Sequence, residues 1–334
     1  MPTATRALLT VSTALACLAA AGLSLASDGG PQVAQAPAAQ SAPKPIPADK
    51  PLGSGPYKAV MEADPGLPTH TVYRPGDLAA LGPNKLPIVA WGNGACVNVG
   101  NRFRWFLTDI ASYGYLAIAI GPIGPSGAEA APQPPPERMP GAPAPAPPSG
   151  QPATRSSQLI DAMNWAIAEN ERARSRYFHR LDTSKIAVMG QSCGGVQAIE
   201  ASADKRVATT VVWNSGLLPT PTAMAGGKTM SKDDLEALHA PVAYISGDEQ
   251  DVAFPNANDD FSRLSSIPVF RAYERGVPHI GTYRDANGGE FAGVAVAWLN
   301  WQLKGDPRAS LMFVGSDCGL CVNPRWVVSK KNIK

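Results

Sequence analysis

The chain has 334 residues, of which 44% are apolar and 17% charged, with a formal net charge of +2. Such a composition suits a protein with a packed core. Near-neutral overall, with Lys330, Lys331 and Lys334 grouped at the C-terminal end, it gives no electrostatic footprint for nucleic acid.

Residues 1 to 26 carry Arg6, then an Ala- and Leu-rich stretch from Ala7 to Ala26 that ends in Ser24-Leu25-Ala26. This pattern predicts an export signal cleaved after Ala26 rather than a membrane-spanning helix, because Thr, Ser and Gly interrupt it. Ala14-Leu15-Ala16-Cys17 is a poor relative of a lipoprotein processing site, so free export, secreted or periplasmic, ranks above lipid anchoring at Cys17. Residues 27 to 55 are rich in Pro, Ala, Gly and Gln, with some Lys and no aromatic residue. They cannot bury enough surface to offset ordering entropy and predict a disordered leader. A catalytic domain is expected over 56 to 334.

A weak strand at 70 to 74 precedes a regular alternation of strands and helices. Strands are predicted at 86 to 90, 115 to 120, 185 to 189, 208 to 213, 241 to 246 and 268 to 273. Helices are predicted at 102 to 112, 157 to 173, 256 to 265 and 290 to 303, with a further start at 196 to 201. Short β-branched runs separated by helices imply an α/β fold with a mainly parallel sheet covered on both faces. Gly121 to Thr154 breaks the rhythm: its prolines, including Pro134 to Pro136, exclude helix and central strand. It reads as a long surface insertion, either overhanging the site described next or simply solvated.

The most informative segment is Gly190-Gln191-Ser192-Cys193-Gly194. A strand before it, a helix after it and a second small residue at Gly195 make this G-x-S-x-G a nucleophile elbow, in which serine sits on a strained strand-to-helix turn. Serine needs a base, and the base needs an orienting acid. In this strand-turn-helix setting the chain order is Ser, then Asp or Glu, then His. Of the four histidines, only His279 follows the strand that should bear the acid. The acid comes from Gly247 to Ala253, where Asp251 is the first choice and Asp248 the second. Two N–H donors must face the developing oxyanion: that of Cys193, and one from the loop after strand 86 to 90, with Asn93 or Gly94 as candidates. Both donors converge on one atom, so Cys96 and Cys193 should lie within disulfide reach. With Cys17 in the signal, Cys318 and Cys321 remain, and a local disulfide there is expected. Four scattered histidines form no ligand cluster, so neither metal nor cofactor is expected.

The elbow, the turn ending at Asp251, the His279 loop and the helix from Val294 to Arg308 together resemble the α/β-hydrolase superfamily. Within it they are similar to the branch holding dienelactone hydrolase-like proteins and bacterial cutinase-like poly(ethylene terephthalate) hydrolases. The likeness covers roughly residues 85 to 310. It implies a mostly parallel central sheet with helices on both faces and no separate cap domain. It also implies a serine hydrolase of carboxylic esters with Ser192, Asp251 and His279 as triad. Cys193 stands where cutinase-like enzymes usually have methionine, and Ser192 where dienelactone hydrolases have cysteine. Trp213 falls where the cutinase-like group places a pocket tryptophan, which implies a substrate wall, with core packing as the alternative. The expected activity is ester cleavage through an acyl-enzyme on a small-molecule or polymeric substrate, by a monomer with no transmembrane segment. Amide hydrolysis on the same fold and a catalytically silent binding protein are the alternatives.

Overall fold

The computed structural model describes residues 53–125, 153–223 and 227–334. The expected export signal, most of the expected leader and the centre of the proline-rich insertion therefore lie outside the described residues. The strands, in chain order, are β1 (Ala59–Glu62), β2 (His70–Pro75), β3 (Leu86–Gly92), β4 (Leu116–Ile120), β5 (Leu181–Gln191), β6 (Val207–Trp213), β7 (Thr222–Ala223), β8 (Thr229–Met230), β9 (Val242–Gly247), β10 (Val269–Glu274) and β11 (Trp326–Lys331). The helices are α1 (Arg104–Ser112), α2 (Ser157–Glu171), α3 (Cys193–Ala201), α4 (Phe254–Arg263), α5 (Gly289–Lys304), α6 (Pro307–Ser310) and α7 (Gly319–Val322).

Nine of these strands form one sheet in the order β1-β2-β4-β3-β5-β6-β9-β10-β11. The six from β4 to β10 pair in parallel, and β1, β2 and β11 add antiparallel edges. The period-2 alternation of side chains divides the core between the two faces. Leu86, Ile88 and Ala90 of β3, with Ile186 and Val188 of β5, pack with Leu159 and Met163 of α2. Val89 and Trp91, with Ala187 and Met189, face α1 and α5 on the other side. There the small residues Ala117, Ala119 and Ala187 leave room for Trp91, Phe106, Trp213, Tyr283, Phe291 and Trp298, all buried. Several of these rings meet edge to face, among them Phe106 with Trp213 at 5.2 Å and Phe106 with Tyr283 at 5.2 Å, the geometry their quadrupoles favour.

Two edge strands have too little pattern to be seen beforehand. β1 is only four residues long, and β11 (WVVSKK) ends in lysines. Lys331 is nonetheless integral: its ammonium donates to the carbonyls of Phe261, Ser262 and Leu264, which close the C-terminal end of α4, where a cation is favoured. Residues 53 to 55, expected above in the leader, are tied to α1. Ser54 donates its N–H and hydroxyl to Asp109 Oδ1 (2.6 and 2.9 Å), and Gly55 N–H donates to Ser112 Oγ. A buried carboxylate on α1 requires such donors, and Gly53 to Gly55 supplies them at a distance that side chains would block.

Candidate active site

The carboxyl ends of β3, β5, β6, β9 and β10 converge, and their loops carry every polar group of the site. Ser192 stands between β5 and α3 with φ 55° and ψ −119°, a backbone conformation that L-residues adopt only when the surroundings enforce it. Enforcement comes from both sides. Ser192 N–H donates to the Trp213 carbonyl (3.0 Å), and the Ser192 carbonyl accepts from the Ser215 hydroxyl (2.6 Å) and from Gly195 N–H (2.8 Å). The flanking glycines are dictated by close approach: a Cβ on Gly190 would come within 2.1 Å of the Gly194 carbonyl oxygen, and one on Gly194 within 2.1 Å of the Gly92 backbone.

His279 reaches Ser192 Oγ through Nε2 at 2.9 Å and Asp251 Oδ1 through Nδ1 at 2.6 Å. Asp251 is 0% exposed. Burial pushes its carboxyl up, yet hydrogen bonds from His279, Ala253 N–H and Asn214 Nδ2, with the charge of His279, outweigh burial and hold it below the usual range. An ionised Asp251 can only accept, so His279 carries its proton on Nδ1 and presents a bare Nε2 to the serine hydroxyl. The sequence candidates Ser192, Asp251 and His279 thus lie on one continuous hydrogen-bonded line.

Asp248, the second choice for the acid, is elsewhere. Its Oδ2 accepts from Gly276 N–H at 2.7 Å, which pins the loop that leads to His279. Gln191 holds the same loop from below, donating Nε2 to the His279 carbonyl at 3.0 Å.

Cys193 is the first residue of α3, so its N–H has no acceptor within the helix. Across from it, Asn93 spends its side chain on the loop itself: Oδ1 accepts from Trp91 Nε1, and Nδ2 donates to the carbonyls of Val97, Val99 and Ile120. The Asn93 side chain is thus committed to its own loop, and the candidate donors that remain there are the backbone N–H groups of Asn93 and Gly94. A Cβ on Gly94 would strike Gln191 Oε1 at 1.9 Å, which places this loop directly against the elbow. Cys96 and Cys193 are joined by a disulfide with Cα atoms 5.3 Å apart, and Cys318 and Cys321 form a second one. Both ends of the proline-rich insertion attach here as well. The Pro122 carbonyl accepts from Gly100 N–H, and Thr154 N–H donates to the Cys96 carbonyl. Gln197 of α3 ties Thr154 to Cys96 Sγ.

One expectation is corrected. Trp213 is 0% exposed and packs against Phe106 and Phe291 beneath the site; its strand is central, so a large ring on that face enters the core and cannot form a substrate wall. Its polar neighbours reach the Ser192 and Asp251 groups instead. Asn214, at φ 41°, donates Nδ2 to Asp251 Oδ2 at 2.8 Å, and its Oδ1 accepts from the Tyr283 hydroxyl. The available signal was a polar Asn-Ser pair directly after an apolar strand, at the edge where the other site loops begin.

A family model described as PET hydrolase-like matches residues 148–259, a segment that holds Ser192 and Asp251 and stops before His279. No curated protein matches the chain. Over residues 148–259 the chain is therefore similar to the PET hydrolase-like branch that its elbow and acid loop resemble, and the sheet around them has the α/β-hydrolase fold.

Proposed function

We propose that the protein is an exported serine hydrolase that cleaves carboxylic esters through an acyl-enzyme, with Ser192 as nucleophile, His279 as base and acid, and Asp251 as its orienting partner. The observation that carries this reading is the unbroken line Ser192 Oγ, His279 Nε2, His279 Nδ1, Asp251 Oδ1, with links of 2.9 and 2.6 Å. In the reaction Ser192 Oγ bonds to the ester carbonyl carbon as its proton passes to His279 Nε2. The carbonyl oxygen becomes an oxyanion facing Cys193 N–H and a backbone N–H of the Asn93-Gly94 loop. His279 returns the proton to the departing alkoxide, which leaves as an alcohol. Water then repeats the sequence: its proton goes to His279, its oxygen bonds to the acyl carbon, and a carboxylic acid is released as Ser192 regains its proton.

Export to the extracellular space or periplasm accords with two disulfides, which persist in oxidising compartments. Among the described residues no helix is long and apolar enough to cross a membrane. The proposed organisation is a signal to residue 26, a leader, and a catalytic domain that acts as a monomer. Either a small-molecule or a polymeric ester fits the reading, and no cofactor enters any step.

The test is direct. Fluorophosphonate should label the wild-type protein at Ser192, and hydrolysis of p-nitrophenyl butyrate should fall by about three orders of magnitude or more in Ser192→Ala. Absence of labelling together with absence of hydrolysis of any short acyl ester would defeat it.

A further inference from the structure

The acid of the candidate triad is not held by histidine alone. Asp251 lies fully buried, and its two oxygens receive three donors from three different segments. Oδ1 accepts from His279 Nδ1 at 2.6 Å and from Ala253 N–H at 2.9 Å, whereas Oδ2 accepts from Asn214 Nδ2 at 2.8 Å. An amide is ambiguous as an orienting group, because a half-turn about its terminal bond exchanges donor and acceptor. Turned the wrong way, Asn214 would aim an oxygen at a buried carboxylate. The Tyr283 hydroxyl removes that freedom. It bonds to the opposite end of the amide, at Oδ1, and a hydroxyl donating there requires the NH2 group to face Asp251. Tyr283 is itself buried, clamped between Phe103, Phe106 and Phe291.

We propose that Asn214 and Tyr283 act as a coupled pair of positioning residues, Tyr283 fixing the direction of the Asn214 amide and Asn214 fixing the second oxygen of Asp251. This rests on the serine-hydrolase reading above and deepens it. Three features make the pair more than local packing. Asn214 keeps φ at 41°, a conformation asparagine tolerates better than most residues. Its backbone N–H is secured to the Ile245 carbonyl at 2.7 Å, so the side chain starts from a fixed point. Tyr283 lies four positions beyond His279, so the loop that carries the base also carries the group that orients the acid's partner.

The charged and titratable groups facing Asp251 are His279 and Tyr283 from that loop and Arg271 from β10. Among them only His279 shares a hydrogen bond with the carboxylate. Asn214 competes with His279 for the negative charge of Asp251. Without that competing donor the charge concentrates on the imidazole, and the imidazolium form is stabilised. The free base is then reached only at higher pH.

The experiment measures fluorophosphonate labelling of Ser192 and p-nitrophenyl butyrate hydrolysis between pH 5 and 9. It uses the full chain as wild type, Asn214→Leu, Tyr283→Phe and the double variant. Asn214→Leu should lower kcat by about ten- to a hundredfold, as expected for loss of a hydrogen bond to a charged group, with KM little changed. Its acid limb should move to higher pH by about half a unit to one unit. Tyr283→Phe should move both quantities the same way by less. Adding Tyr283→Phe to Asn214→Leu should change nothing further, since the hydroxyl acts through the amide. An acid limb unchanged in both single variants, or effects that add independently in the double variant, overturns the proposal. Should Asn214→Leu not fold, Tyr283→Phe, which removes one hydroxyl, decides it alone by its pH profile. Wild-type protein that takes no label defeats the serine-hydrolase reading and this pair with it. A labelled wild type with an unmoved limb defeats only the pair.

Discussion

Removing the Cys96–Cys193 disulfide tests how the elbow and the oxyanion loop are held together. The bridge closes a loop of 97 residues, for which the chain-entropy estimate is about 4.7 kcal/mol of stability. A second energy is stored locally. Ala95 and Cys96 sit at φ 54° and 50°, and each non-glycine residue in that region costs about 1 to 2 kcal/mol. With the bridge intact, Cys193 at the head of α3 anchors these residues. In the double variant Cys96→Ser, Cys193→Ser, about 2 to 4 kcal/mol favours relaxation of the loop toward ordinary backbone angles. That relaxation would carry the Asn93 and Gly94 N–H groups away from Cys193 N–H. Loss of one oxyanion donor typically costs about 100- to 1000-fold in kcat, and partial displacement should cost about 10- to 100-fold. Thermal unfolding should shift down by roughly 8 °C for a domain of this size. Circular dichroism reads the unfolding and p-nitrophenyl butyrate hydrolysis reads kcat, both at a temperature where the variant is folded. A lower unfolding temperature with kcat within twofold of wild type would refute the link to the oxyanion loop and leave a purely stabilising cross-link.

Two further predictions concern the surroundings of the site. Burial pushes the Asp260 carboxyl up to about 6, although Lys232 and the Leu217 N–H pull it down. The folded value lies above the unfolded one, so the stabilising contribution is complete below about pH 4 and is lost as pH rises to about 6. The stability difference between wild type and Asp260→Asn should therefore fall by about 3 kcal/mol across that window in urea titrations; a flat difference would contradict it. Trp213→Ala should destabilise the fold by about 3 to 5 kcal/mol, as expected for an emptied aromatic site in the core, with relative rates on acetyl and butyryl esters unchanged. A change in acyl preference without loss of stability would restore Trp213 to the substrate wall.

Much of this molecule is written in local pattern. Strands such as Leu86–Gly92 and Leu116–Ile120 are short apolar runs flanked by turn residues, and the elbow is a contiguous motif whose glycines have steric causes. These features depend on neighbours in the chain, so a linear reading reaches them. The candidates Asp251 and His279 were reachable too, because a nucleophile elbow of this kind is followed in the chain by an acid and then a histidine. The edge strands Ala59–Glu62 and Trp326–Lys331 were not: one is too short for a period, and the other looks like a basic tail until the α4 carbonyls supply its partners.

Trp213 shows where a linear reading stops. A tryptophan at the end of a strand beside the nucleophile can point to either face, and the alternation of β6 alone sends it into the aromatic cluster under the sheet. Beyond the strand end the left-handed backbone at Asn214 (φ 41°) turns its amide to Asp251, and the next residue, Ser215, reaches back to the Ser192 carbonyl. These three residues thus divide their duties: the large ring fills the core, and the two small polar groups hold the Ser192 backbone and the Asp251 carboxylate. Tyr283 completes the arrangement from a segment 69 positions away in sequence, and nothing in its own neighbourhood announces a role. Its meaning is entirely tertiary, since a buried hydroxyl must find an acceptor, and the acceptor it finds is the amide that also donates to the second oxygen of Asp251.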